Sequence, residues 1–181
     1  MRFGQQGTFD FFCGFYAIAN AFRYLECRKK AKLLGAEYFF DVCCDETIIP
    51  LDELNRNGIA FGEMHRLVEE CIKQSGSAHL QVRRANKNRR TLKTFVQELE
   101  NFFLPNSKSK CAILRITSPS DHWIVVTYDT KYGWKKIDSI AKKNPVKPFL
   151  IEEIYIGEVK TASEGKTCIK PSELLLIEKT E

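Results

Sequence analysis

The sequence has no long hydrophobic run, no CxxC pair and few histidines. No stretch approaches the roughly 18 consecutive apolar residues of a spanning helix, so membrane insertion is not expected. Only three histidines accompany the seven cysteines, and the single close cysteine pair is the adjacent Cys43-Cys44. Without CxxC spacing or a His-rich partner, that pair does not make a zinc site, and no metal or cofactor is expected. The opening MRFGQQGTFD has one basic residue, no apolar core and no small-residue cleavage site. It therefore predicts no secretory signal and a cytoplasmic location, with delivery as a leaderless effector still compatible. Internal repeats and low-complexity tracts are also missing.

What is present describes a folded enzyme-sized domain. The 181 residues are 44% hydrophobic, 12% aromatic and 28% charged, too apolar for a disordered chain and too charged for a membrane-embedded one. A single domain of this length, 1–181, buries about two-thirds of the surface its unfolded chain exposes, without disulfide staples. The odd cysteine count (13, 27, 43, 44, 71, 111, 168) leaves at least one thiol free and suits a reducing compartment. Most of these thiols read as small core residues.

Apolar residues recur at helical spacing over 10–26, where Phe12, Phe15, Tyr16, Ala19, Phe22 and Leu25 predict a buried central helix with Asp10 or Thr8 as N-cap. Residues 33–58 are irregular to read. Further amphipathic helices are predicted over 61–74, stopped by Gly76, and over 91–104, ended by Pro105. After Lys110 the period shortens to that of strands: CAILRIT, HWIVVTYD, GWKKIDS, FLIEEIYIG and SELLLIEK. A mainly helical part (1–105) followed by a mainly β part (106–181) argues for an α+β domain with an antiparallel sheet. The Lys131-Tyr132-Gly133 turn folds 122–130 against 134–139, so residue 122 falls opposite a residue near 140.

Four residues in this layout point to chemistry. Cys13 opens the apolar helix, where unpaired N–H groups and the helix dipole favour a thiolate, predicting a pKa below the free value of about 8.5. Gly14 beside it leaves space for a substrate backbone. His122 starts a strand, and imidazole is the side chain that both takes and returns a proton near neutral pH. Asp138 lies one hairpin strand later, within reach of the far ring nitrogen. Gln6, seven positions before Cys13, has an amide able to donate to an oxyanion together with the Cys13 N–H. Each residue alone has an ordinary structural role available; the ordered set of four is harder to obtain by accident. Asp121, next to His122, is a rival for the Asp138 role. His65 and His79 lack such a context and read as structural.

The pattern Gln6-x6-Cys13-Gly14-x-Tyr16-Ala17, followed by CAILRITSPSDHWIVVTYDTKYGWKKIDS, resembles the papain-like cysteine peptidase superfamily, nearest its C39-like branch of bacteriocin-leader peptidases. The resemblance implies a papain-like fold, with Cys13 as nucleophile, His122 as general base and acid, Asp138 as its orienting partner and Gln6 as oxyanion donor. Gln5 competes with Gln6 for that last role. The chain differs from the branch in having Asp121 before the histidine and Ser139 after the aspartate. The implied activity is hydrolysis of a peptide or protein substrate. A transglutaminase-like acyl transfer or a cell-wall amidase would use the same triad. The alternative of another class is an inactive binding protein on this scaffold or a basic-patch nucleic-acid-binding module.

Charge adds a weaker signal. Residues 83–93 (RRANKNRRTLK) carry six basic and no acidic side chains, whereas 41–70 carry eight acidic and two basic ones. A solvated basic face, an acidic partner or nucleic acid each fit that segment. No sequence-specific nucleic-acid motif accompanies it.

Overall fold

The β-branched and aromatic run HWIVVTYD has side chains suited to both faces of a buried pleated sheet, and it forms the central strand β3, His122–Asp129. It is hairpinned to β4, Gly133–Ile137, with Asp129 opposite Gly133 and Val125 opposite Ile137. Gly133 takes a positive φ of 71°, a conformation that costs glycine nothing. The computed structural model describes residues 12–25, 36–45, 48–50, 53–54, 58–85, 91–118, 120–140, 146–156 and 167–180.

Within these residues the chain is α+β. Helices α1 (Cys13–Leu25), α2 (Ala36–Asp45) and α3 (Phe61–Gln74) precede β1 (Leu80–Arg84), which is followed by α4 (Leu92–Phe103). Then come β2 (Lys110–Ser118), β3, β4, β5 (Val146–Pro148), β6 (Ile154–Ile156) and β7 (Thr167–Lys179). The seven strands form one sheet in the order β1-β7-β2-β3-β4-β5, with β6 alongside β7. All pairings are antiparallel except β6 with β7. β1, although drawn from the helical half, is hydrogen-bonded to β7 at the far end of the chain.

Strand alternation divides the core in two. Cys111, Ile113, Trp123, Val125, Leu175 and Ile177 face α1, α2 and α3, where Phe15, Ile18, Phe39, Met64 and Leu67 meet them. Ala112, Leu114, Ile124, Val126, Leu174 and Leu176 face Phe95, Leu99, Phe102 and Phe103 of α4. Each fully buried side chain of this size contributes about 1.5–3 kcal/mol. α1, α3 and α4 match the periodic segments of the sequence, while α2 falls within 33–58, where the pattern leaves helix or turn open. α4 starts at Thr91, whose hydroxyl accepts the Thr94 N–H at 3.2 Å. The expected caps of α1, Asp10 and Thr8, lie outside the described residues.

The position of Gly14 has a different cause from the one its sequence context suggests. Instead of opening a path to the sulfur, it lets α1 lie close to the lead-in of α3. A Cβ there would stand 2.6 Å from Ile59 Cδ1 and 2.9 Å from Met64 Cε. Both neighbours are buried, so their ends have little room to move. The overlap outweighs the gain of about 1 kcal/mol in helix propensity that alanine brings. Gly14→Ala should lower unfolding stability by about 1–2 kcal/mol in urea titrations. Ile59→Val, which removes Cδ1, should recover part of that loss in the Gly14→Ala background although it destabilises the wild type; strictly additive effects would refute the overlap.

Candidate active site

Cys13 is the first residue of α1, and its sulfur lies against the start of β3, taking the backbone N–H groups of Trp123 and Gly14. Burial is the largest influence on this thiol and raises its pKa. The two N–H groups and Arg115 pull it down, Asp121 pushes it up, and the net result is a raised value. The expected helix-start thiolate is thus overturned: removal from water disfavours the anion by more than the helix start and its donors recover.

His122 is buried at 6% exposure. Its Nε2 lies 3.4 Å from Asp138 Oδ1. That separation is longer than a well-formed hydrogen bond, and Nε2 has no hydrogen-bond partner of good geometry, so the link is chiefly a charge contact. Nδ1 is 2.8 Å from the Ser120 carbonyl oxygen and 3.1 Å from Ser120 Oγ. The carbonyl can only accept, so Nδ1 carries the proton in that contact. Among the described residues no hydrogen bond joins Cys13 to His122; the sulfur meets the strand one residue further on, at the Trp123 amide.

Asp138 follows the last residue of β4, and the hairpin register carries it back to the start of β3. Its Oδ1 accepts the Ile140 N–H at 3.1 Å, and Oδ2 is 4.0 Å from Lys136 Nζ. Burial raises its pKa, but the contact with His122, that ring's charge, the Ile140 N–H and Lys136 together outweigh burial, so the net value is lowered. The rival, Asp121, is turned elsewhere. Arg115 Nε and Nη2 hold its two carboxylate oxygens at 2.7 Å each, and Arg115 Nη1 reaches Glu173 at 3.2 Å. These bonds, with Asp121 foremost, raise the guanidinium pKa against the effect of burial.

Trp123 binds the surrounding segments together. Its indole N–H donates to the Ile59 carbonyl at 3.0 Å, and its ring stacks on Phe61 at 6.4 Å. Arg115 lies over its ring at 5.9 Å. Ala60 donates its N–H to Glu63 at 2.9 Å, which fixes the entry to α3 beside Cys13. Sequence reasoning missed Ser120, Arg115, Trp123 and Ile59. The register that pairs Arg115 with Trp123 was the available signal for one of them.

Gln6 and Gln5 lie outside the described residues, as does Cys27. His65 meets Glu69 at 3.3 Å. The His79 carbonyl accepts from the Thr180 N–H at 2.7 Å, joining the chain's end to β1. Burial pushes the Cys43 thiol to about 11 and raises Cys71 and Cys111 further. Cys44 is raised as well, by desolvation and then by Asp41 and Asp45. Of the basic segment, 83–85 and 91–93 are described. Among the described residues no group of three or more His, Cys, Asp or Glu is arranged to hold a metal, and no helix is long and apolar enough to cross a membrane. No family model matches the chain, and no curated protein matches it in sequence.

Two measurements follow from the electrostatics. Iodoacetamide labelling of Cys13, mapped by mass spectrometry between about pH 6 and pH 10, should rise through the alkaline range with no plateau below the ordinary thiol value; a plateau near pH 6 would show a preformed thiolate. For Asp138, the lowered carboxyl pKa stabilises the fold above the unfolded-state value, and this is lost as pH falls through the folded-state value. The stability deficit of Asp138→Asn in urea should therefore be present at neutral pH and shrink below about pH 4, whereas a deficit independent of pH would contradict the ion-pair account.

Proposed function

We propose that the protein is a cysteine-dependent amide hydrolase, a papain-like peptidase acting on peptide or protein substrates. The observation that carries this reading is that the sulfur of Cys13, the first residue of α1, takes the Trp123 amide at the start of β3, the next residue in sequence to His122, whose ring lies 3.4 Å from Asp138. Helix start and hairpin come from separate parts of the sequence, and between them they offer a nucleophile, a proton carrier and an orienting carboxylate around one strand end.

The raised thiol pKa gives the reaction a defined order. The thiol is neutral in the resting protein, so its proton passes to His122 as attack proceeds, by general-base catalysis. As the ring leaves Ser120 its proton is exchanged through water from Nδ1 to Nε2, on the Asp138 side. The freed Nδ1 lone pair takes the thiol proton while the sulfur bonds to the substrate carbonyl carbon and the C=O π electrons move to oxygen. At the start of α1 the Cys13 backbone N–H faces that oxyanion; the resemblance adds Gln6 as a second donor. Asp138 stabilises the imidazolium, which then gives its proton to the leaving amine as the C–N bond breaks. Water attacks the thioester with His122 again as base, releasing the acid and restoring the thiol. No cofactor enters this cycle.

A peptide mixture generated from a proteome, incubated with the protein and read by mass spectrometry, tests the reading. Cleavage should vanish in Cys13→Ala and fall by about 10²–10⁴ in Asp138→Asn, with His122→Ala at least as impaired. Cleavage that persists in Cys13→Ala would remove the proposal.

A further inference from the structure

We infer that the site selects substrates bearing an acidic side chain, received by Arg84 at the outer end of an aromatic wall beside Cys13. The inference rests on the peptidase reading and adds the chemical class of the substrate.

The wall is a column of four planar groups. The Arg84 guanidinium carbon lies 5.4 Å above the Phe61 ring centroid. Phe61 stacks on Trp123 with an 18° angle between planes, and Arg115 also lies over the Trp123 ring. Trp123 carries the amide that meets the Cys13 sulfur, so the column runs from the candidate nucleophile to the outer strand of the sheet.

The two arginines at its ends differ in what their charges face. Arg115 is held by Asp121 and Glu173 and has no charge to offer a ligand. Arg84 is exposed and, among the described residues, has no carboxylate partner. The acids of α3 around it are engaged elsewhere: Glu63 holds the Ala60 N–H, Glu69 meets His65, and Glu70 meets Lys73. The field of Arg84 reaches the same helix. His65 has a lowered pKa through burial first, with Glu69 opposing and Arg84 reinforcing the decrease. Stacking on Phe61 restrains the guanidinium before any ligand arrives, which reduces the entropy lost on binding. A planar fork of donors, held in place and uncompensated, is suited to a carboxylate.

The test uses peptides identical except for Glu, Gln or Lys at successive positions around one cleaved bond. At low salt the wild type should prefer Glu at one position by about fivefold in kcat/KM, and the preference should decline as salt rises. Arg84→Glu should reverse it in favour of Lys, and Arg84→Lys should retain part of it. Arg83→Glu is the control, because Arg83 lies over Phe102 on the opposite face of the sheet and its change should leave the preference intact. No acidic preference in the wild type, or one that survives Arg84→Glu, would overturn the inference while leaving the hydrolase reading in place. Cleavage of every peptide no faster by the wild type than by Cys13→Ala would instead sink the hydrolase reading and this inference with it.

Discussion

The burial of Trp123 is the constraint on which the candidate site depends. At 2% exposure its ring is removed from water, yet its indole N–H must be satisfied, and the Ile59 carbonyl does so. A buried hydrogen bond of this kind contributes about 1 kcal/mol net, and leaving its donor unpaired costs more. The bond therefore holds the segment before α3 against the start of β3. That segment in turn fills the space above Gly14, which sets how closely the first turn of α1 can approach the sheet. Helix, loop and strand are positioned together, and Cys13 is carried to the Trp123 amide as a consequence.

The same packing decides the state of the thiol. A helix start in water lowers a cysteine pKa, but here the strand and the α3 lead-in exclude solvent, and the cost of an unsolvated anion dominates. Two backbone N–H donors remain aimed at the sulfur, so the surroundings are ready for negative charge that the resting protein does not hold. Asp138 is tuned the other way. It is also buried, but the contact with His122, the Ile140 N–H and Lys136 overcome the burial, and it stays ionised. In the proposed reaction the neutral thiol gives up its proton during attack, and an ionised carboxylate beside His122 stabilises the imidazolium that results.

Much of this arrangement was legible in the sequence, and the part that was not has a common cause. α3, α4 and the β3–β4 hairpin follow from local periodicity and a glycine turn, and the register places residue 122 across from the vicinity of 140 as the turn alone predicts. The chain after 145 was harder. FLIEEIYIG reads as one strand, but β5 precedes it at Val146–Pro148, and the run itself holds a 3-10 turn over Ile151–Glu153 and the short parallel strand β6. β7 extends well before the apolar run SELLLIEK because Pro171 is accommodated where the pairing with β2 shifts register. Local pattern does not encode such an irregularity. Nor does it encode burial: the thiol pKa and the role of Gly14 were misjudged because both depend on Ile59 and Met64, which arrive from another part of the chain. Asp121 is a fair rival for Asp138 on sequence alone, but Arg115, on the preceding strand, holds both its carboxylate oxygens.

The contact of His122 with Ser120 bears on whether the proposed chemistry is energetically accessible from this arrangement. To accept the thiol proton, Nδ1 must give up the Ser120 carbonyl at 2.8 Å and pass its own proton to Nε2, on the Asp138 side. The net value of such a bond is about 1 kcal/mol, because the freed carbonyl finds other donors at a solvent-facing loop. Ser120 is exposed, so water can replace the imidazole there. Against the 8 kcal/mol or more by which enzymes typically lower a barrier, the exchange costs less than a factor of about ten in rate. The Asp138 contact acts in the same direction. At 3.4 Å it leaves Nε2 loosely held in the resting protein, and it strengthens only when the ring acquires a full positive charge. The carboxylate thus interacts most strongly with the imidazolium that proton transfer creates, as a group assisting that transfer must.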